Sequence, residues 1–165
     1  MKISILSGLV FILMASFPPC AQSQIPSGMV QDLKGNVVAL ADIFQKDKIT
    51  ILSFWATWCA PCKKELDAYT ELYDQWTEKY PLEIIAISID NSRAYPQIAP
   101  MAKTKNWPFT IYWDHEGKMQ ESFGFFAIPQ TYLINQSGEI VAEHAGFTSN
   151  VVGLLEYEIK QILGQ

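Results

Sequence analysis

Cys59 and Cys62, set two residues apart in Trp58-Cys59-Ala60-Pro61-Cys62, are the residues of this 165-residue chain best suited to do chemistry. Two thiols at this spacing either form and break a disulfide with one another or furnish half of a zinc site. A ring closed across so few residues restricts the unfolded chain little, so a purely structural bridge is a poor use of the pair. Structural zinc takes four protein ligands, and the two histidines, His115 and His144, come with no second pair of closely spaced cysteines. No metal is therefore expected at the pair, and no other cofactor. The third cysteine, Cys20, stands far off in the N-terminal segment.

The elements around the pair decide what it can do. Residues 49–56 form a continuous β-branched and aromatic run, the composition of a strand buried on both faces, and the cysteines follow it directly. Beyond Cys62, the residues Leu66, Tyr69, Leu72, Tyr73, Trp76 and Tyr80 recur at helical spacing until Pro81 ends the run. A second apolar strand, 82–89, comes next, so the order strand, helix, strand predicts a parallel βαβ unit. Cys59 then sits at a helix N-terminus, where unpaired N–H groups and the helix dipole favour a thiolate and pull the thiol below its free pKa of ~8.5. Cys59 is the predicted nucleophile. Cys62, one turn further on, is placed to attack a mixed disulfide on Cys59 and resolve it. Pro61 has the fixed φ that suits a first helical turn. The indole of Trp58, beside the nucleophile, is expected to offer an apolar contact surface, whereas Trp55, Trp107 and Trp113 read as core.

The remaining segments complete one domain. A turn at Gly35-Asn36 predicts an N-terminal hairpin, and 131–135 and 139–143 predict a second across Gln136-Ser137-Gly138. Between them lie a helix delayed or broken by Pro96 and Pro100, a strand at 109–113 and a short helix at 118–123 ended by Gly124. Residues 151–163 predict a terminal helix. The first 23 residues carry Lys2, an uncharged apolar run and a small-x-small end at Ala21 and Ser23, which is the pattern of a signal peptide. This places residues 24–165 in the mature domain and outside the cytoplasm, the periplasm being the expected compartment. A membrane tether follows only if that segment stays uncleaved or Cys20 is lipidated. With a net charge of −5 and no basic run, nucleic acid is not an expected partner.

Taken together, residues 54–66, residues 128–138 and the N-terminal hairpin resemble the TlpA/ResA-like branch of the thioredoxin superfamily, whose members are exported thiol reductases and include cytochrome c-maturation proteins. The resemblance implies an α/β thioredoxin fold, a central mixed β-sheet flanked by helices, with an N-terminal β-hairpin extension. It also implies that Pro129 is cis and faces the cysteines, so that the backbone of Ile128 can pair with an extended substrate. Trp58, Pro61, Ile128 and Pro129 are thus the expected substrate contacts. On the family pattern the Glu65 carboxylate approaches the cysteines from below. Thioredoxin itself carries an aspartate where Ser53 stands here, and this departure makes Glu65 the candidate for proton transfer alongside Cys59 and Cys62. The implied activity is reduction of protein disulfides, with apocytochrome c as one such client and a membrane thiol-relay protein as electron donor. A disulfide oxidase or isomerase remains the alternative. So does a peroxiredoxin-like peroxidase, although Ala56 occupies the position where such an enzyme needs threonine or serine.

Overall fold

The computed structural model of the protein describes residues 23–165, so Cys20 and all of the expected signal segment except Ser23 lie outside the described residues. In chain order the elements are β1 (Ser23–Gln24), β2 (Met29–Asp32), β3 (Val37–Ala39), β4 (Ile49–Trp55), α1 (Ala60–Lys79), β5 (Leu82–Ser88), α2 (Ile98–Lys105), β6 (Thr110–Trp113), α3 (Met119–Phe123), β7 (Gln130–Ile134), β8 (Glu139–Ala145) and α4 (Val151–Ile162). The strands form one mixed sheet in the order β1-β8-β7-β4-β5-β6-β2-β3.

The two uninterrupted apolar runs take the central places. All seven residues of β4 and all seven of β5 are buried, and the two strands pair in parallel from Ile49↔Leu82 to Trp55↔Ser88. Alternation along β4 sends Ile49, Ile51 and Trp55 to one face, where they meet Leu66, Tyr69 and Trp76 of α1 and Leu155 and Ile159 of α4. Leu52 and Phe54 point the other way, against Val30, Leu40, Met119 and Phe125. Burying each of these large side chains stabilises the fold by roughly 1.5–3 kcal/mol. Trp55 and Trp107 meet edge to face with ring centroids 4.9 Å apart, and Trp107 and Trp113 are largely covered, as expected of core tryptophans.

Each helix stops where the sequence ends its pattern. α1 ends before Pro81, and Gly124 closes α3 with a left-handed φ of 73°. The two prolines of the segment after β5 delay a helix rather than prevent one. Pro96 lies in a 3₁₀ turn at Tyr95–Gln97 and Pro100 is the third residue of α2, where a missing N–H removes no intrahelical bond. The N-terminal hairpin forms between β2 and β3 and joins the sheet through β6. One strand goes beyond the sequence reading: β1 pairs antiparallel with β8 through Ser23↔Ile140 and Gln24↔Glu139. Two polar residues carry no periodicity that could have announced it.

Candidate active site

The parallel pair β4 and β5 opens at its C-terminal end into a loop that turns straight into α1. Cys59 is the N-cap residue of that helix, in an extended conformation, and Ala60 and Pro61 open the first turn. The two cysteines form a disulfide. The Cys62 amide N–H points at the Cys59 Sγ, 3.2 Å away, so the expected helix N-terminus is aimed at this sulfur and favours negative charge on it. Cys59 is 5% exposed and Cys62 is wholly buried.

Across the sheet, the loop leading into β7 brings the Ile128–Pro129 peptide, which is cis, to the same end. The Ile128 carbonyl oxygen lies 3.8 Å from the Cys59 Sγ. Of the expected substrate contacts, Trp58 is 67% exposed, Pro61 is exposed, Ile128 is half-buried and Pro129 is buried. The structure thus brings Ile128 and Pro129 to the cysteine pair, while Trp58 stands beside Cys59 in the chain with its indole exposed.

Glu65 follows from helix and sheet geometry combined. It lies one turn after Cys62 on the buried face of α1, a spacing that sets Cβ atoms about 5–6 Å apart. Beneath it, Ser53 of β4 and Thr131 of β7 are direct cross-strand partners on the face that α1 covers. Their hydroxyls both donate to Glu65 Oε2, at 2.9 and 3.2 Å, and the Tyr69 hydroxyl lies 3.3 Å from that of Thr131. Glu65 Oε1 is buried with no hydrogen-bond partner. Burial dominates, and it raises the Glu65 carboxyl to about 7 against the pull of the Ser53, Thr131 and Tyr69 hydroxyls. A carboxyl in this state takes up or gives up a proton near neutral pH.

A second buried carboxylate, Asp90, fastens the loop before Cys59. Its oxygens accept from the Thr57 N–H and the Thr57 hydroxyl, both at 2.8 Å, and from the Ser88 hydroxyl at 2.8 Å. The Lys63 ammonium donates to the Thr57 carbonyl from the other side at 2.9 Å. Asp90 was not singled out from the sequence, where it is one acid among polar residues after a strand. Among the described residues no group of three or more His, Cys, Asp or Glu side chains is arranged to hold a metal, and no helix is long and apolar enough to cross a membrane.

Residues 21–143 match the family model described as the AhpC/TSA family. The chain is also 32% identical over 123 residues to the thiol-disulfide oxidoreductase ResA of Bacillus thuringiensis, covering 74% of this chain and 68% of that protein. The chain belongs to the AhpC/TSA family. Within it, this protein is a thiol–disulfide oxidoreductase of the ResA type. The sporulation thiol-disulfide oxidoreductase A of Bacillus subtilis is 30% identical over 135 residues, covering 78% of this chain and 79% of that one. A thioredoxin-like protein of Porphyromonas gingivalis superposes with a TM-score of 0.77 at 27% identity, over 86% of this chain and 92% of that chain. A putative thiol:disulfide interchange protein DsbE of Chlorobium tepidum gives 0.74 at 23% identity, over 86% and 96%, a likeness of fold. The thioredoxin fold with its N-terminal hairpin is thus the architecture of this oxidoreductase.

Proposed function

We propose that this oxidoreductase works outside the cytoplasm as a reductase of protein disulfides. In the reduced enzyme the Cys59 thiolate attacks one sulfur of a substrate disulfide, forming a mixed disulfide while the other substrate sulfur leaves as a thiolate. Cys62 then loses its proton to Glu65 and attacks the Cys59 sulfur. The Cys59–Cys62 disulfide closes, the second substrate thiolate departs, and two electrons have passed from the pair to the substrate. A membrane thiol-relay protein returns them. During the exchange the backbone of Ile128, next to Pro129, pairs with the extended substrate, and Trp58 and Pro61 line its path. Apocytochrome c is one client of suitable chemistry.

The observation that supports this reading best is the placement of a buried carboxyl with a pKa near neutral one helical turn beneath the buried Cys62. A thiol sealed from water needs a local proton acceptor to become a nucleophile, and Glu65 fits that need. Residues 1–23 complete the reading as an export signal and 24–165 as the working domain.

The test is a Cys62→Ser variant expressed in the exporting cell. It should accumulate mixed disulfides through Cys59, and identifying the captured proteins names donor and client. Absence of any captured protein, together with no insulin reduction above a Cys59→Ser control, overturns the proposal.

A further inference from the structure

The two large apolar side chains most exposed to solvent among the described residues are Phe126, at 95%, and Trp58, at 67%. They do not lie at random. Trp58 immediately precedes Cys59, and Phe126 is two residues before Ile128, whose carbonyl faces the Cys59 sulfur, so at most about 7 Å of backbone separates Phe126 from that contact. One ring is thus attached to each of the two segments that meet at the reactive sulfur.

Phe126 owes its position to its neighbour. Phe125 turns inward, 5% exposed, with its ring 4.8 Å from that of Phe54, and this anchors the loop while Phe126 points away. A ring left this exposed gains nothing from the folded core, so its apolar surface is free to act only on something outside the molecule. Phe126 also forms a wall shared by two depressions. One, of about 330 Å³, runs beside Tyr132 and Glu143, and the other, of about 440 Å³, beside Gln120 and Glu121. Each depression includes one carboxylate side chain and no basic one.

We propose that Phe126 is a specificity-determining residue, which with Trp58 grips an apolar side chain of an extended protein substrate close to its reactive cysteine. The proposal rests on the disulfide-exchange reading of the preceding section and names the kind of segment that site prefers. Two exposed rings, one on each segment that meets at the sulfur, select an apolar neighbour of the substrate cysteine, and Glu121 and Glu143 select a basic residue beyond it. The occupant is therefore a strand-like segment with an apolar side chain within two residues of its half-cystine and a lysine or arginine nearby. Its backbone runs past Ile128, which stands two residues from Phe126 in the chain.

The experiment uses the full reduced protein and three kinds of substrate: hydroxyethyl disulfide, a disulfide-closed peptide with leucine beside its reactive cysteine, and the same peptide with serine there. Phe126→Ser should raise KM for the leucine peptide about tenfold and leave kcat, the serine peptide and hydroxyethyl disulfide unchanged. Phe126→Leu should restore most of the loss. In a version of the leucine peptide that carries a nearby lysine, replacing that lysine by glutamate should raise KM about threefold at low salt, the difference fading as ionic strength rises. Equal KM values for wild type and Phe126→Ser, or a parallel loss on hydroxyethyl disulfide, overturn the proposal and leave the disulfide-exchange reading standing. A wild-type protein that reduces none of the three substrates overturns that reading itself.

Discussion

Glu65 and Asp90 are both buried carboxylates at the end of the sheet where the cysteines stand, yet they are built in opposite ways. Asp90 accepts hydrogen bonds on both oxygens, from one amide and two hydroxyls. Glu65 accepts two on Oε2 and none on Oε1. A fully bonded buried carboxylate fixes geometry, because every donor around it loses its partner if it goes. A half-bonded one leaves free energy to be recovered by a proton, so it is suited to chemistry rather than to fastening. The contrast separates the group that holds the Cys59 loop from the group proposed to manage charge under Cys62.

Removing Asp90 tests the fastening half and should have the largest effect. Asp90→Ala strands the Thr57 N–H, its hydroxyl and the Ser88 hydroxyl in the interior, and should cost about 3 kcal/mol in urea unfolding. A loss under about 1 kcal/mol would break the comparison.

For Glu65 the expected signature is a pH dependence. Its folded pKa of about 7 lies above the ordinary 4.5, so between these values the native state holds a proton that the unfolded chain has released. Stability contributed by the protonated form is complete below pH 4.5 and falls as pH rises toward 7, by on the order of 3 kcal/mol at most. Glu65→Gln, which cannot ionise, should lose this decline and be the more stable protein at pH 8. The same variant should lose an inflection near neutral pH in thiol titration of the cysteine pair. An unchanged titration removes Glu65 from the mechanism.

Ser53→Ala sharpens the point on a smaller scale. With one of two donors to Oε2 gone, the Glu65 carboxyl should move further upward, shifting the inflection to higher pH at a cost of about 1 kcal/mol. The surface supplies the weakest case. Glu156 receives Tyr80, Lys79 and Lys160, and these hold its carboxyl down at about 2. Water screens these partners, so Glu156→Gln should cost under about 1 kcal/mol and less at high salt.

The legible part of the molecule was the part governed by periodicity. Apolar runs located β4 and β5, helical spacing located α1 and α4, and strand followed by cysteine followed by helix placed the redox pair at a helix N-terminus. What stayed hidden depends on register and on long-range pairing. The family pattern and its spacing from Cys62 made Glu65 a candidate. Its burial and its bonds were not readable, because they require Ser53 and Thr131 to lie side by side on two strands 78 residues apart in sequence. Asp90 and Thr57 likewise meet across a gap of 33 residues. Phe126 carried no signal either, since Phe125-Phe126 does not reveal which ring faces inward.

Cys62 is sealed and Cys59 shows only a sliver of surface. Whatever delivers electrons and whatever collects them must therefore enter by the same doorway, one after the other. Under the proposed reduction cycle, donor and client compete for a single berth, and the enzyme alternates between two forms without holding both visitors. Its steady-state kinetics should show the parallel double-reciprocal lines of a substituted-enzyme cycle, with each partner in excess slowing the other.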